Sequence, residues 1–111
     1  MADPKEDLKA LKLRLGGLAK AAPDVAKGFG ALSVAATKAG TFSSAQKELV
    51  ATAIAVTKGC EGCILYHVDA AKRGGATREE LLELLGVAVE MGGGPSMVYA
   101  GKALEVFDGL S

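Results

Sequence analysis

The sequence predicts an all-α chain of about six helices, and three observations carry that prediction. Leucines recur at helical spacing through residues 5–20, at Leu8, Leu11, Leu15 and Leu18, with lysines between them. Ser43 with Gln46, and Thr77 with Glu80, have the spacing of capping boxes that open helices. Pro23, Gly40, Gly59, Gly74-Gly75, Gly92-Gly93-Gly94 and Pro95 punctuate the chain where such helices would start or stop.

The elements follow in order. Residues 5–20 form an amphipathic first helix. Pro23 and Asp24 open a second, which runs through VAKGFGALSVAATKA to Gly40. Gly28 and Gly30 weaken it by about 1 kcal/mol each relative to alanine. The third runs from the cap at Ser43 to Gly59. Its core LVATAIAV also fits a buried strand, but its alanines, its cap and its length favour helix. CEGCILYHVDAAKR is the fourth, ending at Gly74-Gly75. TREELLELLGVAVEM is the fifth and is apolar around most of its circumference, more than one small core requires. Burial between subunits explains that girdle. The glycine run breaks the chain, Pro95 restarts it, and SMVYAGKALEVF completes the sixth. The glycine run lacks the Lys-Ser/Thr of a phosphate loop and follows no strand, so it reads as a helix break.

Composition narrows the function. The 111 residues suit one domain, and half of them are hydrophobic, mostly Ala, Val and Leu. Small side chains favour closely packed helices and make burial between subunits attractive. A formal net charge of zero argues against a nucleic-acid binder driven by bulk electrostatics. Charge is nevertheless uneven: residues 1–47 carry eight Lys/Arg against four Asp/Glu, and residues 48–111 carry five against nine. The start MADPKEDLKALKLRL has no apolar signal region, and no apolar run is long enough to span a membrane. The expectation is a cytoplasmic protein without membrane contact. Thiols there are kept reduced, so two neighbouring cysteines point to chemistry or metal before a structural staple.

Those cysteines are the only two in the chain, Cys60 and Cys63, and the only histidine, His67, follows four residues later. A break at Gly59 makes the third and fourth helices an antiparallel hairpin, with Cys60 in the first turn of the second arm. Cys60 and Cys63, three apart, share a face and lie close enough for a disulfide. His67 stacks on the same face, one turn beyond Cys63. Glu48 lies about 16 Å back from the turn and His67 about 12 Å forward, at 1.5 Å per residue, so the two meet across the hairpin. Carboxylate, imidazole and thiol in that order form a proton relay. The helix N-terminus favours both thiolates. His67 takes a proton from Cys63, Glu48 orients His67, and the second cysteine closes a disulfide onto the oxidised first. The position of His67 assigns Cys63 as the attacking thiolate and Cys60 as the resolving partner.

The string E-x11-C-x2-C-x3-H, here Glu48, Cys60, Cys63 and His67, resembles the signature of the AhpD-like alkylhydroperoxidases, within the wider carboxymuconolactone decarboxylase family. The resemblance covers roughly residues 20–108, including GGATREEL and GGGPSMVYA. It implies an AhpD-like helical fold with the CxxC at the start of a central helix, in a domain over 21–111 preceded by a helical arm over 1–20. It also implies a homo-oligomer, a trimer or hexamer, and thiol-dependent reduction of hydroperoxides without a cofactor or metal. Glu48 and His67 become the relay, Cys63 the peroxide-attacking cysteine and Cys60 the resolving one. Electrons come from a dithiol donor, a lipoyl group or a thioredoxin-type protein. Better-studied members often carry a histidine between the cysteines; this chain has Glu61 and Gly62, and the Glu61 charge raises the thiol pKa values and slows attack.

Other readings use the same residues. Cys60, Cys63, His67 and Glu48 could bind zinc, although no second ligand pair exists. A thioredoxin-like fold would make LVATAIAV a strand. A purely structural reading makes His67 a core histidine, the cysteines small buried hydrophobes and Glu48 a solvated carboxylate. The dithiol could also serve thiol–disulfide exchange or redox sensing without peroxidase turnover. A decarboxylase-related role is disfavoured, because lactone decarboxylases of this family lack the cysteine pair. Tyr66 reads as packing; Tyr99 and Met97 read as core residues that could line a substrate pocket.

Overall fold

Caps set the helix starts. In the computed structural model, which describes residues 3–110, Asp3 accepts from the Lys5 N–H to open α1 (Pro4–Ala21). Pro23 stands at the start of α2 (Pro23–Thr37). Both capping boxes form as their spacing predicts, Ser43/Gln46 at α3 (Ser44–Lys58) and Thr77/Glu80 at α5 (Arg78–Gly92). Between them lies α4 (Glu61–Arg73), and α6 (Gly94–Gly109) ends the chain. No strand occurs among the described residues, and LVATAIAV lies wholly within α3. That removes the thioredoxin-like alternative.

Two boundaries differ from the sequence reading. Helix α2 stops at Thr37, short of Gly40, because Lys38 is already extended at φ −64°, ψ 150°. The glycine run breaks the chain at a single residue: Gly93, at φ 73°, turns α5 into α6. Gly92 is held to glycine by that turn, since a Cβ there would collide with the Ser96 side chain.

Helices α3 to α6 pack around one core. Leu49 and Val56 of α3 meet Ile64 and Val68 of α4, Leu81 and Leu85 of α5, and Ala103 and Val106 of α6. Fully burying a side chain of the Val or Ile class contributes about 1.5–3 kcal/mol. Helix α1 lies across this bundle, burying Leu8, setting Leu11 against Gly62 and Pro4 against Gly109. Helix α2 packs beside α1 and α3 yet buries none of its residues. The girdle of α5 also resolves: Leu81, Leu85 and Ala88 are buried, whereas Leu82, Val87 and Met91 are exposed. No helix among the described residues is long and apolar enough to cross a membrane.

Candidate redox site at the α3–α4 hairpin

The hairpin turn positions the site. Gly59 ends α3 in the left-handed region at φ 67°, ψ 38°. A Cβ there would sit 3.1 Å from the Tyr99 ring. Glycine is therefore required twice, by conformation and by the close approach of α6. At the far end of the hairpin Gly74 packs on Ala45, so the two helices run antiparallel along their length.

Cys60 is the N-cap residue of α4 rather than part of its first turn. Its backbone is extended at φ −102°, ψ 97°, and its Sγ accepts the Cys63 N–H at 3.2 Å. Sulfur thus does here what a Ser or Asp oxygen does at an ordinary cap. Cys60 and Cys63 are joined by a disulfide, with Cα atoms 5.3 Å apart. Cys63 is exposed and Cys60 half-buried. Gly62, between them, gives room for Leu11: a Cβ there would stand 3.3 Å from its Cδ1.

Across the hairpin, His67 Nδ1 lies 2.6 Å from Glu48 Oε1. Glu48 is 9% exposed, so its carboxylate needs a partner, and the imidazole supplies one. With Nδ1–H donating to the carboxylate, Nε2 is the nitrogen left for proton exchange. His67 and Cys63 are four residues apart on α4, which brings their Cβ atoms to about 5–6 Å. The sequence-derived residues thus meet in one place: Glu48 with His67, Cys60 with Cys63, and the two pairs one helical turn apart. Among the described residues no three His, Cys, Asp or Glu side chains converge as a metal-binding set.

Tyr66, read from the sequence as packing, is exposed beside the site, and two further neighbours, a groove and Arg73, escaped that reading. The Tyr66 ring stands edge-on to His67, with centroids 5.4 Å apart at 76°. A groove of about 390 Å³ opens beside Glu48, between Ser33, Val34 and Thr37 of α2 and Tyr66 and Ala70 of α4. At its end lies Arg73, whose Nε donates to Asp69 at 2.9 Å. Nothing in the α2 sequence signals a groove wall, because that role depends on how α2 is seated. Tyr99 is half-buried against Gly59, and Met97 is exposed.

Comparison with known proteins gives a consistent result. The profile of the carboxymuconolactone decarboxylase family matches residues 23–106. An uncharacterized protein of Cupriavidus necator is 45% identical over 109 residues, spanning 98% of this chain and 96% of its own. Uncharacterized protein 4 of the cox locus of Paracoccus denitrificans is 38% identical over 94 residues, 85% of each chain. Among solved structures, a carboxymuconolactone decarboxylase family protein from Legionella pneumophila has a TM-score of 0.93 at 46% identity, covering 99% of both chains.

Proposed function

The chain belongs to the carboxymuconolactone decarboxylase family, and from that premise we propose that it is a thiol-dependent peroxidase of the AhpD-like kind. The observation that carries this reading is the Glu48–His67 contact at 2.6 Å, one helical turn from an exposed Cys63 that is paired with Cys60. A carboxylate-oriented imidazole beside a dithiol has little structural purpose on a partly exposed face, and a clear chemical one.

In the reduced protein His67 takes the Cys63 proton through Nε2, and Glu48 holds the resulting imidazolium. The Cys63 thiolate attacks the terminal oxygen of a hydroperoxide, the O–O bond breaks, and the alkoxide leaves as ROH with the proton from His67. Cys63 is then a sulfenic acid. The Cys60 thiol displaces its oxygen as water and closes the disulfide. A dithiol donor, lipoyl or thioredoxin-type, returns two electrons and two protons. Attack on the exposed Cys63 sulfur expels Cys60 as a thiolate that the α4 N-terminus stabilises. The reading carries with it a homo-oligomer of three or six copies and a cytoplasmic location.

Glu61 favours a second reading. It is exposed in the first turn of α4, between the two cysteines in the chain, and a negative charge there opposes thiolate formation. A protein with this site and slow peroxide attack would serve thiol–disulfide exchange or redox sensing. One experiment separates the two: intact mass and free-thiol count of the reduced, metal-free protein before and after one equivalent of an organic hydroperoxide. Peroxidase chemistry predicts fast loss of both thiols as an intramolecular disulfide. Cys60→Ser should accumulate sulfenic acid at Cys63, and Cys63→Ser should leave Cys60 reduced. Thiols that ignore the peroxide yet exchange with a dithiol protein select the second reading.

A further inference from the structure

We propose that the groove between α2 and the α3–α4 hairpin binds a small zwitterion, an amino carboxylate, with its ammonium on Glu48 and its carboxylate on Arg73. Neither cysteine nor His67 lines this groove, so its occupant is not the hydroperoxide. The site stands on its own observations; its effect on the dithiol rests on the reading above.

The first observation is a carboxylate with one oxygen unpartnered. Glu48 is 9% exposed and lines the groove. Its Oε1 meets His67 Nδ1 at 2.6 Å, while Oε2 has no hydrogen-bond partner among the described residues. No side-chain oxygen among those residues is both unpartnered and closed to solvent. Oε2 is therefore open, and the groove is the opening that Glu48 lines. A nearly buried carboxylate oxygen without a donor is unfavourable, and a ligand that donates there removes the penalty.

The second observation is Arg73. Its Nε donates to Asp69 at 2.9 Å, and its two terminal nitrogens make no hydrogen bond among the described residues. Those two nitrogens form the fork that grips a carboxylate at both oxygens.

The opposite charges select the ligand class. A simple anion would meet Glu48, and a simple cation would meet Arg73; a zwitterion satisfies both. Thr37 adds an acceptor for the ammonium: its hydroxyl donates to the Ser33 carbonyl at 2.7 Å, which leaves its oxygen lone pairs free. Val34 and Ala70 give a short methylene stem an apolar wall. The volume of about 390 Å³ lies within the range of small-molecule sites.

Occupancy reaches the dithiol through Glu48. An ammonium at Oε2 draws on the same charge that holds the His67 imidazolium. His67 becomes less basic, and proton removal from Cys63 slows. The reactivity of the dithiol then answers to the concentration of the amino carboxylate.

The test titrates the full-length protein, by calorimetry, with unbranched amino carboxylates of increasing length from glycine upward. One length should bind best, because both ends are fixed, with a dissociation constant on the order of 1 mM for so small a molecule. The alkanoate and the alkylamine of that length should bind roughly 10-fold more weakly or worse, the scale of one lost charge-assisted hydrogen bond. Arg73→Gln and Glu48→Gln should each weaken binding by a similar factor, with circular dichroism unchanged. At saturation, alkylation of the reduced wild-type dithiol should slow by roughly 3-fold or more, its pH profile moving upward. No saturable binding up to about 50 mM by any member overturns the proposal. So does equal binding of the alkanoate, or binding that ignores Arg73→Gln. Binding that leaves alkylation unchanged, while Glu48→Gln slows it, refutes the coupling. Alkylation that ignores both the ligand and Glu48→Gln refutes the relay and leaves the site standing.

Discussion

At the residue scale the question is what a buried carboxylate does for a thiol it does not touch. Glu48 contacts His67, and His67 follows Cys63 by one helical turn, so the proposed mechanism makes Glu48 a positioning residue. Glu48→Gln keeps the shape and hydrogen-bonding reach of the side chain but removes the charge that supports an imidazolium. Alkylation of the reduced dithiol at neutral pH should slow on the order of 100-fold, in the range of lost acid–base assistance. The pH profile of that rate should move toward higher pH. Circular dichroism should not change. Unaltered alkylation kinetics would remove Glu48 from the mechanism. Thr52 illustrates a neighbouring polar group with a purely structural role: its hydroxyl donates to the Glu48 carbonyl at 2.9 Å, one turn back in α3.

At the element scale the hairpin turn matters most, because it sets the register between Glu48 on one helix and His67 on the next. Gly59→Ala places a Cβ in the left-handed region, which costs about 1–2 kcal/mol, and sets it 3.1 Å from the Tyr99 ring. The urea midpoint should fall accordingly. Gly59→Asn separates the two causes, since asparagine tolerates the left-handed region but still carries the Cβ. Recovery in the asparagine variant assigns the loss to backbone strain; no recovery assigns it to Tyr99. Either variant should also slow alkylation if the turn holds the relay in register.

At the scale of the whole molecule the last two helices are clamped by one ion pair. Arg78, at the start of α5, donates to Asp108, near the end of α6, from Nε at 2.9 Å and from Nη2 at 3.2 Å. The hydrogen bond from Arg78 holds the Asp108 carboxyl below its usual range. A carboxyl lowered on folding contributes fully above its unfolded value, near 4, and loses that contribution as pH falls through its folded value. The stability advantage of wild type over Asp108→Asn should therefore shrink on acidification below about pH 4. Denaturation midpoints across that range measure it, and an advantage independent of pH would mean the pair contributes through something other than charge. Both groups are well exposed, so the effect should also diminish with salt.

The all-α class was legible in the sequence because its signals are local. A capping box needs four residues, a left-handed stop needs one glycine, and leucine spacing needs a few turns. The site was legible for a related reason. Cys60, Cys63 and His67 lie on consecutive turns of one helix, and Glu48 is reached by counting back across a single tight hairpin. Regular helices and one short turn turn sequence distance into spatial distance. Where that conversion fails, the sequence was silent. Cys60 moved from first turn to cap because its sulfur competes for the Cys63 N–H. The girdle of α5 split into buried and exposed residues only once α3 and α6 were packed against it. The groove wall on α2 has no sequence signature, since its position relative to Glu48 depends on long-range packing. The sequence by itself determined the helices and the spacing of Glu48, Cys60, Cys63 and His67 along them, through short-range hydrogen bonding and helical periodicity. Only the tertiary structure decided which apolar faces remain uncovered, because burial belongs to the packed bundle as a whole and to no single stretch of chain.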